Sequence, residues 1–304
     1  MDINTIVTHD LTKKFGRQTA VDHLTLTIPE HGIFAFLGPN GAGKTTTIKM
    51  LMNLIVPTSG TSSLLGVDSQ HLDPTTLRRI GYVSENQRLP EWMSVAGFLA
   101  YCKTMYPDWD DGFCARLLKQ FDLPLHQQLK HLSRGMKVKA ALLSSLAYHP
   151  SLLLLDEPFT GLDPLVRDEF IRGILDLTEA GEWSIFISSH DLNEVEQLAD
   201  SVGFIDQGKL QLSESLESLQ GRCRMLELNL PAPSATLPPH LPEHWRLPAN
   251  QGRRVSIFET CYHEGETESM ARTFFPAAEV TAATMTLREI FVALAQSYGH
   301  RLEE

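Results

Sequence analysis

The chain has 304 residues, 42% of them hydrophobic and 21% charged, which excludes a disordered segment and leaves room for a full core plus a small second domain. A formal net charge of −11 excludes nonspecific nucleic-acid binding through a bulk positive field. Cys102, Cys114, Cys223 and Cys261 show neither CxxC pairing nor metal-ligand spacing and are expected as reduced thiols. The opening MDINTIVTHDLTKKF has no apolar core of a signal peptide, and nowhere do about 18 apolar residues run without a charge, so no membrane span is expected.

In chain order, TIVTHDL and LTLTI alternate as half-buried strands do, and IFAFLG is a continuous apolar run suited to a buried strand. After a glycine-rich turn, TTTIKMLMNLI has helical spacing, closed by Pro57 and Gly60. The stretch from about 91 to 148 is helical in pattern. SLLLLD, LVRDEFIRGILDLTEAG and SIFISS then read as strand, helix and strand. That alternation predicts a parallel sheet flanked by helices.

Beyond about Gly221 the composition changes. LPAPSATLPPHLPEHWRLPANQG holds six of the seventeen prolines and reads as a loop or linker. RMLELNL and RRVSIFET around it read as strands, and LREIFVALAQSYG as an amphipathic terminal helix. The expected division is a first domain over 1–220, with its helical part at about 86–150, and an accessory domain over 221–304. At roughly 80 residues the latter is small for an independent core, so it is expected to pack on the first domain or on a copy of itself.

GPNGAGKTT, residues 38–46, matches G-x-x-x-x-G-K-[ST] directly after a buried strand and at the opening of a helix. Gly38, Gly41 and Gly43 let the backbone wrap closely, and Pro39, Asn40, Ala42 and Thr46 complete a cradle whose N–H groups face a polyphosphate. Lys44 is placed for the β- and γ-phosphates and Thr45 for Mg²⁺. SLLLLDEP then ends an apolar strand in two adjacent acids: Asp156 to hold the metal's water shell and Glu157 to polarise an attacking water.

These residues, with LSRGM at 132–136, FTGLDP and FISSHD following in that order, resemble the nucleotide-binding subunit of an ATP-binding cassette (ABC) transporter. The likeness runs from about Ile6 to Leu212, roughly two thirds of the chain. It is most similar to the ATPase subunits of bacterial exporters whose membrane subunits are separate chains. The resemblance implies an α/β P-loop NTPase cassette with a mixed sheet core, an antiparallel β subdomain and a helical subdomain, followed here by a small α+β domain.

It also implies roles. Phe15 would stack on adenine, unless it is a strand-end core residue. Glu85 falls where the family has a glutamine sensing the γ-phosphate; a carboxylate accepts only, so metal or water contact replaces donation, and Gln87 is a rival two residues on. His190 matches the switch histidine, with a helix-capping or surface histidine as the plain alternative. Asp163 matches the loop touching the opposing subunit, or simply caps a helix before Pro164. The family's LSGGQ reads LSRGM here: Ser133 and Gly135 survive, while Arg134 and Met136 depart. A hydroxyl, a bare N–H and a positive helix end remain; the alternative is an ordinary basic helix start.

Two such chains are expected to close head to tail over ATP and Mg²⁺, as a homodimer or with a related ATPase subunit. The implied partner is a transmembrane permease subunit, at the cytoplasmic face of the cell membrane, with Leu89, Trp92 and Met93 exposed to receive it; no nucleic-acid partner is expected. The second domain is expected to serve dimerisation or regulation. The rival readings are a soluble cassette ATPase acting on ribosomes or nucleic acid, and a P-loop kinase, which would not need residues 132–136, Asp163 or His190.

Overall fold

Two long antiparallel strands open the computed structural model, which describes residues 4–85, 87–178, 183–233 and 236–297. Strand β1 (Asn4–Phe15) pairs with β2 (Gln18–Pro29), and β3 (Gly32–Leu37) follows with every residue after Gly32 buried. Helix α1 (Lys44–Leu51) stops short of the expected helix, which ran on to Ile55. The reason is a Schellman turn at its end. Asn53 adopts φ 54°, its N–H donates to the Met50 carbonyl at 3.1 Å, and the Leu54 N–H donates to the Lys49 carbonyl at 2.8 Å.

Strands β4 (Ser59–Leu64) and β5 (Val67–Asp68) join the first two in an antiparallel sheet of order β2-β1-β4-β5. Short helix α2 (Pro74–Leu77) leads into β6 (Ile80–Ser84). The helical stretch contains α3 (Val95–Lys103), α4 (Asp111–Gln120) and α5 (Arg134–Leu146), with Ser94, Asp110 and Ser133 as their N-caps. Each cap side chain accepts from the N–H three residues on, satisfying a donor the helix cannot.

The alternation that follows is β7 (Leu152–Asp156), α6 (Pro164–Thr178), β8 (Ser184–Ser189), α7 (Leu192–Glu196) and β9 (Ser201–Asp206). Residues 179–181, included in the expected helix, lie outside the described residues. A two-residue turn with Gln207 and Gly208 both at positive φ returns the chain as β10 (Lys209–Ser215). The resulting six-stranded sheet has the order β10-β9-β3-β8-β7-β6, parallel from β9 to β6. Phe34 and Phe36 pack on Phe186 with ring centroids 5.8 and 5.4 Å apart. Ile48, Met50, Leu152, Leu154 and Ile205 complete a core shared with the antiparallel sheet. Because β3, β6, β7 and β8 run parallel, the segments leaving their C-terminal ends gather along one edge.

The chain divides into two compact units, Met1–Ser213 and Glu214–Glu304. The second holds α8 (Leu216–Arg222), β11 (Arg224–Asn229), β12 (Trp245–Gln251), β13 (Arg254–Glu259), α9 (Glu266–Phe274), β14 (Glu279–Thr284) and α10 (Leu287–Ser297). Residues 298 and 299, read as part of the last helix, lie outside the described residues. Strand β12 falls inside the proline-rich stretch expected to be a loop. It is an edge strand of the order β12-β13-β11-β14, and Pro248 sits where the register slips between Arg246 and Ala249. A proline costs little at an edge irregularity, where the ladder asks it for no N–H. Leu226, Leu228, Val255, Ile257 and Trp245 form that sheet's core against Ala271 of α9 and Phe275, its C-cap.

Candidate nucleotide-binding site

The chain leaving β3 turns at residues 38–43 before entering α1. Gly43 is the N-cap at φ 113°, and a Cβ there would meet the Ala20 carbonyl at 2.5 Å. Only glycine permits both that conformation and that approach. A glycine N-cap brings no side chain to the first-turn N–H groups, so the positive end of α1 stays available to an anion.

The Lys44 ammonium is buried and donates to the carbonyls of Gly38 at 2.5 Å and Pro39 at 3.1 Å. It also lies 3.0 Å from Glu157 Oε1. At the end of β7, Asp156 Oδ1 accepts from Thr45 Oγ1 at 2.9 Å and from Ser188 Oγ at 2.8 Å. Burial pushes the Asp156 carboxyl upward, against the two hydroxyl bonds that pull it down. One residue on, Glu157 holds φ 50°. Its N–H donates to Ser188 Oγ at 3.0 Å, and the Ser188 carbonyl lies 3.2 Å away. Its Oε2 meets His190 Nδ1 at 2.7 Å and Thr160 Oγ1 at 3.3 Å. Its Oε1 is buried, with the Lys44 ammonium beside it as its ion-pair partner.

A cavity of about 380 Å³ opens here, walled by Phe15, Asn40, Gly41, Lys44, Glu85 and Glu157 among others, within the size range of small-ligand sites. The residues fit a polyphosphate: a buried ammonium, an uncapped helix start and a glycine-wrapped backbone. They also fit a hard cation, since the Thr45 and Asp156 oxygens already touch.

Four sequence expectations are thus brought together from three segments: the cradle, the adjacent Asp156 and Glu157, and His190. Phe15 is 51% exposed at the end of β1 and lines the cavity, with Lys13 Nζ 5.1 Å from its ring centroid, so it is not a core residue. Glu85 lines this cavity, whereas Gln87 lines a second one with Arg88, Leu89, Glu91 and Lys137. Ser133, Gly135 and Asp163 are absent from the residues walling the first cavity. Ser133 caps α5, and Asp163 Oδ1 accepts from the Val166 N–H at 3.1 Å, before Pro164 opens α6.

One expectation is corrected. Trp92 is 72% exposed, but Leu89 is buried and Met93 half-buried. The Met93 carbonyl accepts from Leu129 N–H, and Val95 and Ala96 donate to the Gln127 and Leu125 carbonyls, so this segment is tied down rather than splayed. Ser188 was missed within the strand SIFISS. Its register opposite Asp156 was not visible before the strands were paired.

Residues 21–160 match the ABC transporter family. The bacitracin transport ATP-binding protein BcrA of Bacillus licheniformis is 33% identical over 95% of this chain and 96% of that protein. The lantibiotic transport ATP-binding protein SrtF of Streptococcus pyogenes is 36% identical over 69% of this chain and 93% of that protein. A solved ATP-binding subunit of an ABC transporter, 27% identical, superposes with a TM-score of 0.64 over 71% of this chain and 92% of that one. Motif order, cavity and full-length relative agree: the chain belongs to the ATP-binding proteins of ABC transporters and is the ATPase subunit of such a transporter.

Proposed function

We propose that the chain binds ATP with Mg²⁺ in this cavity and that closure of two copies, or of one copy with a related subunit, drives export through a separate membrane subunit. The observation that carries the reading is the junction of Lys44, Glu157 and His190, at 3.0 and 2.7 Å, beside the Thr45–Asp156 pair. The cradle of Gly38, Asn40, Gly41, Ala42, Gly43 and Thr46 holds the phosphates through backbone N–H groups, with Pro39 shaping the turn and offering none, and Phe15 stacks on the base. Thr45 and Asp156, with Glu85 in the same wall, are the oxygen donors for Mg²⁺, which when bound spreads the charge of the phosphate oxygens. Lys44 neutralises charge at the transferred phosphoryl group. Glu157 orients water through Oε1, the oxygen that faces Lys44, and His190 holds the other oxygen of that carboxylate.

Ser133 and Gly135 serve the nucleotide of the opposing copy, and Asp163 meets that copy's surface. No helix among the described residues is long and apolar enough to cross a membrane. The transport ATP-binding relatives support a permease on a second chain, met at the cytoplasmic face through the exposed Trp92. The bacitracin- and lantibiotic-transport relatives support a cargo of that class, chosen by the membrane subunit. The match to BcrA over 95% of this chain extends into the second unit, to which we assign dimerisation or regulation.

The test is co-purification from gently solubilised native membranes with ATP present. A polytopic membrane protein in stoichiometric amount is the expected catch. Ribosomes, nucleic acid or soluble proteins alone would keep the ATPase and overturn the transport role.

A further inference from the structure

Helix α5 begins against the usual electrostatics. Its first turn has no acidic residue, and it opens instead with Arg134, followed by Lys137, at the end where the helix dipole disfavours cations. Each cation meets a carboxylate from the segment after β6. Lys137 Nζ lies 3.1 Å from Glu91 Oε1, and Arg134 Nη2 lies 3.8 Å from Glu85 Oε1. Arg134 also crosses the loop that follows Glu157: a Cβ at Gly161 would stand 2.7 Å from its Nη1. The guanidinium therefore reaches its position because residue 161 carries no side chain.

Glu85 walls the cavity with Lys44 and Thr45. A free carboxylate there repels a polyphosphate. As an ion pair between half-exposed groups, Arg134–Glu85 contributes little to stability, but its charge acts on whatever anion enters the cavity. Two of the three positions at which this chain departs from the family's pattern, a glutamate at 85 and an arginine at 134, thus face each other.

We propose that Arg134 is a positioning residue that neutralises Glu85, so that the second departure compensates the first and links the turn at 132–136 to the nucleotide cavity of its own chain. This rests on the ATP-site reading above. Met136 takes no part; its N–H is bonded to Ser133 Oγ at 3.2 Å.

The test is a double-mutant cycle on ATP affinity, read by fluorescent-ATP titration of dilute full-length chain with EDTA, so that neither hydrolysis nor metal contributes. Arg134→Gly is expected to weaken binding about 3- to 5-fold with Glu85 present, the upper part of the range for a charge pair outside the core, and by less than about twofold in the Glu85→Gln background. Arg134→Lys should keep most of the affinity. The Arg134→Gly effect should shrink at about 1 M salt, where the screening length is about 3 Å; a loss of packing would not shrink. Equal weakening in both backgrounds, or no weakening with Glu85 present, overturns the proposal while leaving the ATP site intact. Failure of the wild-type chain to bind ATP overturns the site reading and the proposal together.

Discussion

Glu157 concentrates the chemistry of the site. A left-handed backbone at a non-glycine residue costs about 1–2 kcal/mol, and here two contacts to Ser188 hold it. The twist turns the carboxylate from the strand's alternation toward Lys44 and His190. Glu157→Gln keeps the shape and the contact to Lys44 but loses the negative charge proposed to polarise water. Turnover should fall by about two to four orders of magnitude, with ATP affinity changed less than about threefold. Phosphate release and ATP titration measure the two; undiminished turnover would remove Glu157 from its role. Lys44, Thr45, Asp156 and Glu157 were legible because each motif packs its chemistry into consecutive residues. Ser188 was not, because its claim rests on lying opposite Asp156 across β7 and β8. Gly135 was legible only in part. A Cβ there would meet Val166 Cγ1 at 2.8 Å, so it also sets how closely α5 approaches the start of α6, a tertiary reason that a motif cannot carry.

At the scale of elements, α6 and α7 are joined by a buried carboxylate. Glu194 of α7 is buried, and its Oε1 lies 2.7 Å from Arg167 Nε of α6, which also reaches Asp191 at 3.4 Å. Burial pushes the Glu194 carboxyl from 4.5 up to about 7, aided by Asp191 and Glu157 and opposed by Arg167 and His190. The folded chain therefore holds this proton more tightly than the unfolded one. The group's full contribution is present below about pH 4.5 and is lost as pH rises through about 7. The loss is worth at most about 3 kcal/mol. Glu194→Gln cannot titrate, so its stability relative to wild type should rise across that window. Urea midpoints from pH 4.5 to 8 measure it, and a pH-independent difference would refute the assignment. Element types were readable where hydrophobic period was strong, as in β3, β7 and β8. The end of α1 and the existence of β12 were not, since the first depends on Asn53 turning left-handed and the second on an edge position that tolerates Pro248.

For the whole molecule, the residues assigned to the proposed shared site stand apart within one chain. The cavity walls include Lys44 and Glu157, while Ser133, Gly135 and Asp163 lie outside those walls. The Ser133 oxygen accepts the bond that caps its own helix, yet its O–H proton remains for a second acceptor, and the start of α5 adds a positive dipole end. A second copy bringing this turn to the first copy's phosphates would complete both sites at once, as a two-fold pairing does. Lys44 and Ser133 then separate two events. In a Glu157→Gln background, where turnover does not consume the ligand, ATP should shift the sedimenting species from monomer to dimer. Lys44→Ala should abolish both ATP binding and the shift, because the buried ammonium sits in the cradle itself. Ser133→Ala should bind ATP as a monomer within about twofold of its parent, yet need upwards of about a hundredfold more protein to dimerise, since the two-fold pair loses two hydrogen bonds to charged groups, each worth roughly 1.5–3 kcal/mol. Dimerisation of Ser133→Ala at the parent's concentration would mean that the turn does not reach the partner's nucleotide, and that α5 begins with a serine only to cap itself.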